Sequence, residues 1–188
     1  MFFTRISLNL WGNFVIFDRM KDVRITNKWA LFWSGWLSNW YPCSLQMDGK
    51  TFISSEQAYM YEKAVYFGDE ATAQKILRTD NPKDAKRFGR AVVGFDQGKW
   101  DEVKYEIMKR CVHEKFSQNP GLRRMLLSPE LDDKKFAEGS PFDTIWGIGI
   151  DWRDPLSSNE KNWKGQNLLG QIITEVRNSF KQEEFQWD

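Results

Sequence analysis

The sequence predicts a single, mostly helical α+β domain with a few short strands near the N-terminus. Three observations lead to this prediction. The chain of 188 residues suits one domain, and no repeat, low-complexity stretch or linker divides it. Several segments in the middle and at the end repeat apolar residues at helical spacing. Strand-like patterns occur only in short stretches near the front of the chain.

The first elements are short. Alternation around Asn13–Phe17 indicates a strand. Residues Phe32–Pro42 mix turn formers with large rings and fit neither helical nor strand periodicity, so we expect a structured loop. Residues Ser44–Phe52 predict a hairpin around Asp48-Gly49, a common turn dipeptide.

Helices account for most of the rest. The first begins at Ser54, where Ser54 and Gln57 fit a capping box, and ends near Phe67, because Gly68 can adopt the left-handed closing conformation. We expect residues 132–166 to be loop-rich, since they combine Pro, Gly, Asn and Trp. The remaining predicted helices cover residues 70–78, 82–88, 98–117, 120 to about 128, and 168 to about 180.

Composition excludes several classes of protein. Hydrophobic residues make up 41% and charged residues 28% of the chain, which is typical of globular proteins and not of disordered or fibrous ones. A net charge of +1 supplies no strong overall field for nucleic acid or membrane lipid. One histidine and two distant cysteines do not predict a zinc site. Without a signal peptide or a long apolar run, we expect a cytoplasmic protein with reduced thiols and no membrane partner.

The helix that begins at Ser54 carries the first candidate for chemistry. Glu56 and Lys63 are seven residues apart and share a face with Tyr59 and Met60 between them. A carboxylate and an amine above one patch suit acid–base chemistry. Two plainer readings compete: the helix dipole favours an acidic first turn, and charges at this spacing usually form a solvated face.

Three loop regions add features that a nucleotide-like ligand would use. Trp33, Trp36 and Trp40 offer rings on which a base could stack. The segment Asp143–Gly149 combines a carboxylate, a ring and two glycines. The segment Gly165–Gly170 opens the last helix, where backbone N–H groups favour phosphate, although a glycine-rich turn alone is weak support.

These segments together resemble the NADAR, or YbiA-like, family over most of the chain, from about Phe32 to Phe180. The resemblance rests on the order and spacing of short blocks: Ser38-Asn39-Trp40-Tyr41-Pro42, Gly49-Lys50-Thr51-Phe52, Ser55-Glu56-Gln57-Ala58-Tyr59, Lys63-Ala64, Ala85-Lys86, Gly89-Arg90, Trp100-Asp101-Glu102-Val103-Lys104 with Met108, Trp146-Gly147-Ile148-Gly149 and Gly165-Gln166-Asn167-Leu168-Leu169-Gly170. It implies a single-domain YbiA-like fold over residues 31–183, with residues 1–30 as an N-terminal extension packed on the domain.

The resemblance implies an N-glycosidase, a hydrolase of the bond between a ribose and a base-type nitrogen, that needs no cofactor and no metal. Family members act on phosphoribosylated intermediates of riboflavin synthesis or on ADP-ribose, including its removal from guanine. We therefore expect a small ribosyl or ADP-ribosyl substrate, and ADP-ribosylated nucleic acid is a further candidate. The motif positions imply Glu56, Lys63 and Asp143 as catalytic residues. Substrate contacts are expected from Asn39, Trp40, Tyr59, Trp100, Trp146, Gly147 and Asn167.

Two positions depart from the family pattern. Gln57 stands where the family often has His, and Gln166 where it often has Lys, so both bear on substrate choice. The stretch Ile150–Lys164 is long enough to form its own lid or wall. Two other functions stay open: a module that binds ADP-ribose or a nucleotide without cleaving it, and an interaction protein whose exposed Trp residues dock a partner.

Overall fold

The computed structural model describes residues 20–185, which form two small sheets and six α-helices. The first sheet has the order β1 (Val23–Ile25), β2 (Trp29–Phe32) and β5 (Lys135–Glu138). In it β1 pairs antiparallel with β2, and β2 pairs parallel with β5, so that Phe32 lies opposite Glu138. The second sheet is the hairpin of β3 (Leu45–Met47) and β4 (Lys50–Phe52).

The helices are α1 (Ser55–Tyr66), α2 (Glu70–Arg78), α3 (Pro82–Arg90), α4 (Gln97–Ser117), α5 (Pro120–Leu126) and α6 (Leu168–Phe185). Side chains cap several of their N-termini: Ser54 accepts from the Gln57 N–H, and Asp69 and Asp96 play the same part for α2 and α4. Gly68 has φ +73° just beyond α1, the left-handed conformation expected there.

The helices pack around α1, which contacts α2, α3 and α4, while α6 packs on both α4 and β5. The main core fills the space between them and includes Phe32, Phe116, Phe136 and Phe180, all essentially inaccessible to solvent. Because α1 lies at the centre, its N-terminal turn is buried rather than solvated. This position decides the surroundings of Glu56.

The predicted fold class, a mostly helical domain with small sheets, is confirmed, and so are the hairpin and the helices. The prediction that residues 132–166 are loop-rich missed β5, whose four residues are too few to display a period. The predicted strand around Asn13–Phe17 lies outside the described residues. The proposed boundary at residue 30 falls within β2, so the extent of an N-terminal extension stays a prediction.

The capping box of α1 differs in one detail from the prediction. Gln57 Oε1 accepts from the N–H of Ile53 at 2.8 Å, one residue before the expected donor, Ser54. Its Nε2 donates to the carbonyl groups of Ile76 and Thr79 at 2.8 and 2.7 Å. Gln57 therefore ties α1 to the end of α2. Within residues 20–185, none of the helices is both long and apolar enough to cross a membrane.

Candidate active site

A cavity of about 300 Å³ opens where the N-terminal half of α1 meets α3, α4 and the loop after β5. Eight of the ten residues assigned from sequence line it, and Gly147 and Asn167 do not. The lining residues are Ser38, Asn39, Trp40, Glu56, Tyr59, Met60, Lys63, Lys86, Arg90, Phe95, Gln97, Trp100, Lys104, Met108, Glu138, Asp143, Ile145, Trp146 and Leu169.

Glu56 lies on the inner wall of this cavity, and the residue is only 4% exposed. Its backbone N–H donates to the carbonyl of Asn39 at 3.0 Å, which joins the helix start to the preceding loop. Asn39 is itself fixed, since its Oδ1 accepts from the Ser55 hydroxyl at 3.0 Å. Glu56 Oε1 is buried and has no hydrogen-bond partner among the described residues. An unsatisfied buried carboxylate oxygen costs stability, which is typical of functional sites.

The cation beside Glu56 is Lys86 of α3, whose Nζ lies 3.8 Å from Oε1. That distance permits an ion pair but is too long for a hydrogen bond. Burial raises the pKa of Glu56, whereas Lys86 opposes the rise. Lys63 lies elsewhere on the cavity wall, with Nζ 3.9 Å from the Phe95 ring centroid, and makes no ion pair with a described carboxylate. Burial, with a contribution from Arg90, lowers the pKa of Lys63.

Aromatic rings form much of the remaining wall. Tyr59 packs against Trp100, with ring centroids 5.3 Å apart, and edge-on against Trp146 at 5.5 Å. Trp100 is 5% exposed, so it serves the core and the cavity at once. Trp40 is exposed at the mouth, where the Lys86 ammonium lies 5.5 Å from its ring centroid. Flat groups entering the cavity would therefore meet rings on more than one side.

Asp143 reaches the cavity from the loop after β5. Its Oδ1 accepts from the N–H groups of Ile145 and Trp146 at 2.9 and 2.8 Å. These bonds fold the loop into an Asx turn and set the position of Trp146. Oδ1 of Asp143 is therefore occupied by hydrogen bonds within its own loop.

Glu138, at the end of β5, was not among the residues assigned from sequence, yet it lines the same cavity. Burial raises its pKa to about 8, and the neighbouring Asp143 adds to the rise, while Lys86 opposes it. Its Oε2 is buried and has no hydrogen-bond partner among the described residues. The cavity therefore holds three carboxyl groups, those of Glu56, Glu138 and Asp143, with Lys86 near two of them.

Asn167 and Gly147 lie behind this wall and position it. Asn167 has φ +55°, and its amide pairs with the free edge of β5: Oδ1 accepts from the Glu138 N–H and Nδ2 donates to the Phe136 carbonyl, both at 3.0 Å. A Cβ at Gly147 would stand 2.9 Å from the carbonyl oxygens of Glu138 and Asp143. Both residues shape the backbone beneath the carboxyl groups, whereas the sequence suggested direct contact with substrate.

A wider groove of about 970 Å³ continues from the mouth of the cavity and shares Trp40, Lys86, Arg90, Glu138 and Asp143 with it. One wall is the basic face of α3, formed by Lys83, Lys86, Arg87 and Arg90. The other wall carries Trp33 and Phe142, which are 40% and 85% exposed and whose ring centroids lie 6.4 Å apart. The side chains of Lys83 and Arg90 have no ion pair or hydrogen bond to another described residue, whereas Arg87 pairs with Asp84. The groove therefore has unpaired cationic side chains on one wall and exposed aromatic rings on the other.

Lys86, Arg90 and Glu138 are the site residues that sequence reasoning missed. Lys86 and Arg90 belong to blocks that carry the family resemblance, and their spacing on α3 was the signal that could have raised them as candidates. Glu138 offered no such signal, because β5 was not recognised. No group of three or more His, Cys, Asp or Glu side chains within the described range is arranged to hold a metal ion.

Residues 31–181 match the model of the NADAR domain. The chain belongs to the NADAR family. The resemblance predicted from the ordered sequence blocks is thereby confirmed. The NMR structure of the Escherichia coli protein YbiA has the same fold, with a TM-score of 0.70 and 27% identity over 89% of this chain and 93% of that one.

Curated relatives agree with this assignment. An N-glycosidase of Acanthamoeba polyphaga mimivirus is 36% identical over 150 residues, which cover 77% of this chain and 87% of the relative. The N-glycosidase YbiA of Escherichia coli K12 is 31% identical over 143 residues, or 76% of this chain and 79% of the relative. A riboflavin biosynthesis protein of Vibrio vulnificus is 32% identical over 79% of this chain, which spans 36% of that longer protein. The class expected from the sequence, a hydrolase of N-glycosyl bonds, is the one named for two of these relatives.

Proposed function

We propose that the chain is an N-glycosidase that hydrolyses the bond between a ribose and a base-type nitrogen. The observation that carries this proposal is Glu56: a buried carboxyl group, with one oxygen that has no hydrogen-bond partner among the described residues, on the wall of an aromatic cavity in a domain of the NADAR family. The names of the N-glycosidase relatives support the same reaction. A cavity of about 300 Å³ is at the small end of ligand sites and suits a sugar with its bond to a base.

Glu56 would act on the positive charge that develops on the ribose as the bond to nitrogen breaks. Such transition states resemble an oxocarbenium ion, and a carboxylate beside the anomeric carbon stabilises them. The effect is larger in a site from which water is excluded, as at the nearly inaccessible Glu56. Lys86, 3.8 Å from Oε1, favours the charged form that this role needs. The same carboxylate can then accept a proton from the attacking water or bond to the sugar directly.

The other cavity residues have supporting roles in this proposal. Asp143, whose Oδ1 is committed to its own loop, would bind ribose hydroxyls through its other oxygen. Lys63 does not pair with Glu56, so orientation of Glu56 falls to Lys86. The lowered pKa of Lys63 increases its neutral fraction, the form needed for a transient imine with an opened sugar. Trp40 and Trp146 would flank the base and the ribose.

The wider groove favours an ADP-ribosyl substrate over a phosphoribosyl one. A single phosphate needs little more than one cation, whereas this groove presents four cationic side chains on one face of α3. Trp33 and Phe142 stand across the groove, at a place where an adenine ring could stack. We therefore propose that the diphosphate lies along α3, that the adenine lies near Phe142, and that a purine such as guanine leaves, either free or within a nucleic acid.

The test is a base-release assay with three probes: an ADP-ribosylated guanine nucleoside, NAD and a phosphoribosyl pyrimidine. We expect release of guanine from the first and its loss in the variant Glu56→Gln. Binding of ADP-ribose without release of a base from any probe would favour the non-catalytic binding module instead. If none of the probes is bound or cleaved, the interaction-protein reading is favoured.

The groove has its own test. The double variant Lys83→Gln/Arg87→Gln should raise the KM for the ADP-ribosyl probe about tenfold, on the scale of one lost charge-assisted contact. Lys75→Gln, which removes a charge from an exposed position on α2, is the matched control. An unchanged KM in the double variant would place the ADP portion elsewhere.

A further inference from the structure

Glu138 differs from the other two carboxyl-bearing residues of the cavity in what surrounds it. Glu56 has Lys86 as an ion-pair partner, and Asp143 accepts two backbone N–H groups. The Glu138 side chain has no ion pair among residues 20–185, and its Oε2 is buried without a hydrogen-bond partner. A carboxyl group in such surroundings is more stable with a proton than without one.

We propose that Glu138 is the proton donor to the leaving base, a role that rests on the proposed N-glycosidase function. When the ribose–nitrogen bond breaks, its electron pair goes to the nitrogen, and the Glu138 proton moves to the departing base. Water then forms the new bond to the anomeric carbon and gives a proton to Glu56. Glu56 returns this proton to solvent and Glu138 regains one, so that the reaction consumes only water.

The charges around the two glutamates divide these roles between them. Glu138 is faced by Asp143 of the following loop, Glu56 of α1, and Lys86 and Arg90 of α3. Asp143 is the strongest of these charged influences on Glu138 and raises its pKa, whereas Lys86 is the strongest on Glu56 and lowers its pKa. Burial raises the pKa of both glutamates, but of the two only Glu56 has a cation at ion-pair distance among the described residues. Lys86 therefore favours the carboxylate at Glu56 while Asp143 favours the protonated acid at Glu138, a division suited to base and acid. A pKa of about 8 keeps Glu138 largely protonated at neutral pH and still able to release the proton.

The backbone of Glu138 is fixed in place by hydrogen bonds on both its N–H and its carbonyl group, as a proton donor needs to be. Its N–H donates to Asn167 Oδ1 at 3.0 Å, and its carbonyl accepts from the N–H of Ile148 at 2.9 Å and of Ser140 at 3.0 Å. These bonds join β5 to the start of α6 and to the loop that carries Asp143. Glu138 also lines both the cavity and the groove, so it lies at their junction, where the scissile bond would be. Precise placement of this kind makes proton transfer efficient.

The decisive variant is Glu138→Gln, which keeps the shape of the protonated acid but cannot release a proton. On the ADP-ribosylated guanine nucleoside and on the phosphoribosyl pyrimidine, we expect kcat to fall about a hundredfold or more. The basic limb of the pH profile, where the wild-type donor loses its proton, should disappear. Glu130→Gln, at an exposed position beyond α5, controls for the loss of one acidic residue. Glu138→Asp, which keeps a carboxylic acid but shortens the side chain by one methylene group, should lower kcat and retain the basic limb.

A second readout does not depend on substrate. Infrared spectra at neutral pH should contain the carbonyl band of a buried protonated carboxyl group in the wild type and in Glu56→Gln, and lack it in Glu138→Gln. The proposal fails if Glu138→Gln keeps a kcat within about threefold of wild type together with its basic limb, or if the band persists in this variant. If the wild type releases no base from any probe, the proposed function fails and the donor role falls with it. If the wild type is active and Glu56→Gln is not, an active Glu138→Gln overturns the donor role alone.

Discussion

Replacing Glu138 with Gln should make the protein more stable at neutral and basic pH, because the wild-type carboxyl group is held in surroundings that oppose its ionisation. Its pKa rises from an ordinary 4.5 to about 8 on folding. In the unfolded chain the group loses its proton above about pH 4.5, whereas the folded protein retains it until about pH 8. The native state then binds more protons than the unfolded state, so the free energy of unfolding decreases with rising pH in this window.

The size of the effect follows from the same values. One pKa unit corresponds to about 1.4 kcal/mol, so a rise from 4.5 to about 8 costs the wild type on the order of 5 kcal/mol at basic pH. Glu138→Gln does not titrate and escapes this cost. Its advantage should be small below about pH 4.5, increase up to about pH 8, and stay constant above that.

Urea unfolding followed by circular dichroism at about pH 5, 7 and 9 measures this advantage. The variant Glu130→Gln, tested in parallel, accounts for the change in net charge at an exposed position. A difference between Glu138→Gln and wild type that is the same at all three pH values would refute the reasoning. It would mean that Glu138 is solvated and ionises in the folded protein as it does in the unfolded chain.

Four further predictions concern single features of the site. Glu56→Gln should lower kcat about a hundredfold or more with an unchanged near-ultraviolet spectrum, and near-normal activity in the folded variant would remove Glu56 from the mechanism. Trp146→Ala should weaken ADP-ribose binding roughly tenfold, more than it lowers thermal stability; titration calorimetry and a melting curve decide, and a variant that mainly unfolds would make Trp146 a packing residue. Asn167→Asp should lower the free energy of unfolding by on the order of 2 kcal/mol, because an oxygen would replace the amide donor facing the Phe136 carbonyl; equal urea midpoints would contradict the pairing with β5. Base release should survive dialysis against EDTA to within about twofold, and complete loss restored by magnesium or manganese would assign Glu56 to a metal instead.

Much of the fold could be predicted from local sequence, because the residues that begin and end its helices lie next to those ends in the chain. Ser54 and Gly68 bracket α1 through a side-chain cap and a positive φ, and both requirements concern residues within one turn of the helix end. The hairpin around Asp48-Gly49 is equally local, since Asp48 and Gly49 adopt φ values of +49° and +74°. Such features depend on the backbone of a few neighbours, so they are visible in the chain itself.

The strand β5 could not be predicted in the same way. Its four residues pair in parallel with β2, more than a hundred positions earlier, and their other edge is completed by the side chain of Asn167. Each of these partners is distant in sequence, and a segment this short displays no period of its own. In the glycine-rich block, the sequence drew attention to the backbone N–H groups as contacts for phosphate. In the structure, the side-chain amide of Asn167 hydrogen-bonds to the edge of β5, in the place that a neighbouring strand would take.

For the site, the sequence by itself determined the family, the face of α1 that carries Glu56, Tyr59 and Lys63, and the aromatic loops around it. Helical spacing and the ordered blocks can be read directly from the sequence. Only the tertiary structure decided which charges meet. It brought Lys86, rather than Lys63, to 3.8 Å from Glu56 and set Glu138 beside Asp143. The protonation of each carboxyl group depends on burial and on the charges within a few ångströms, and neither quantity exists until distant segments have packed together.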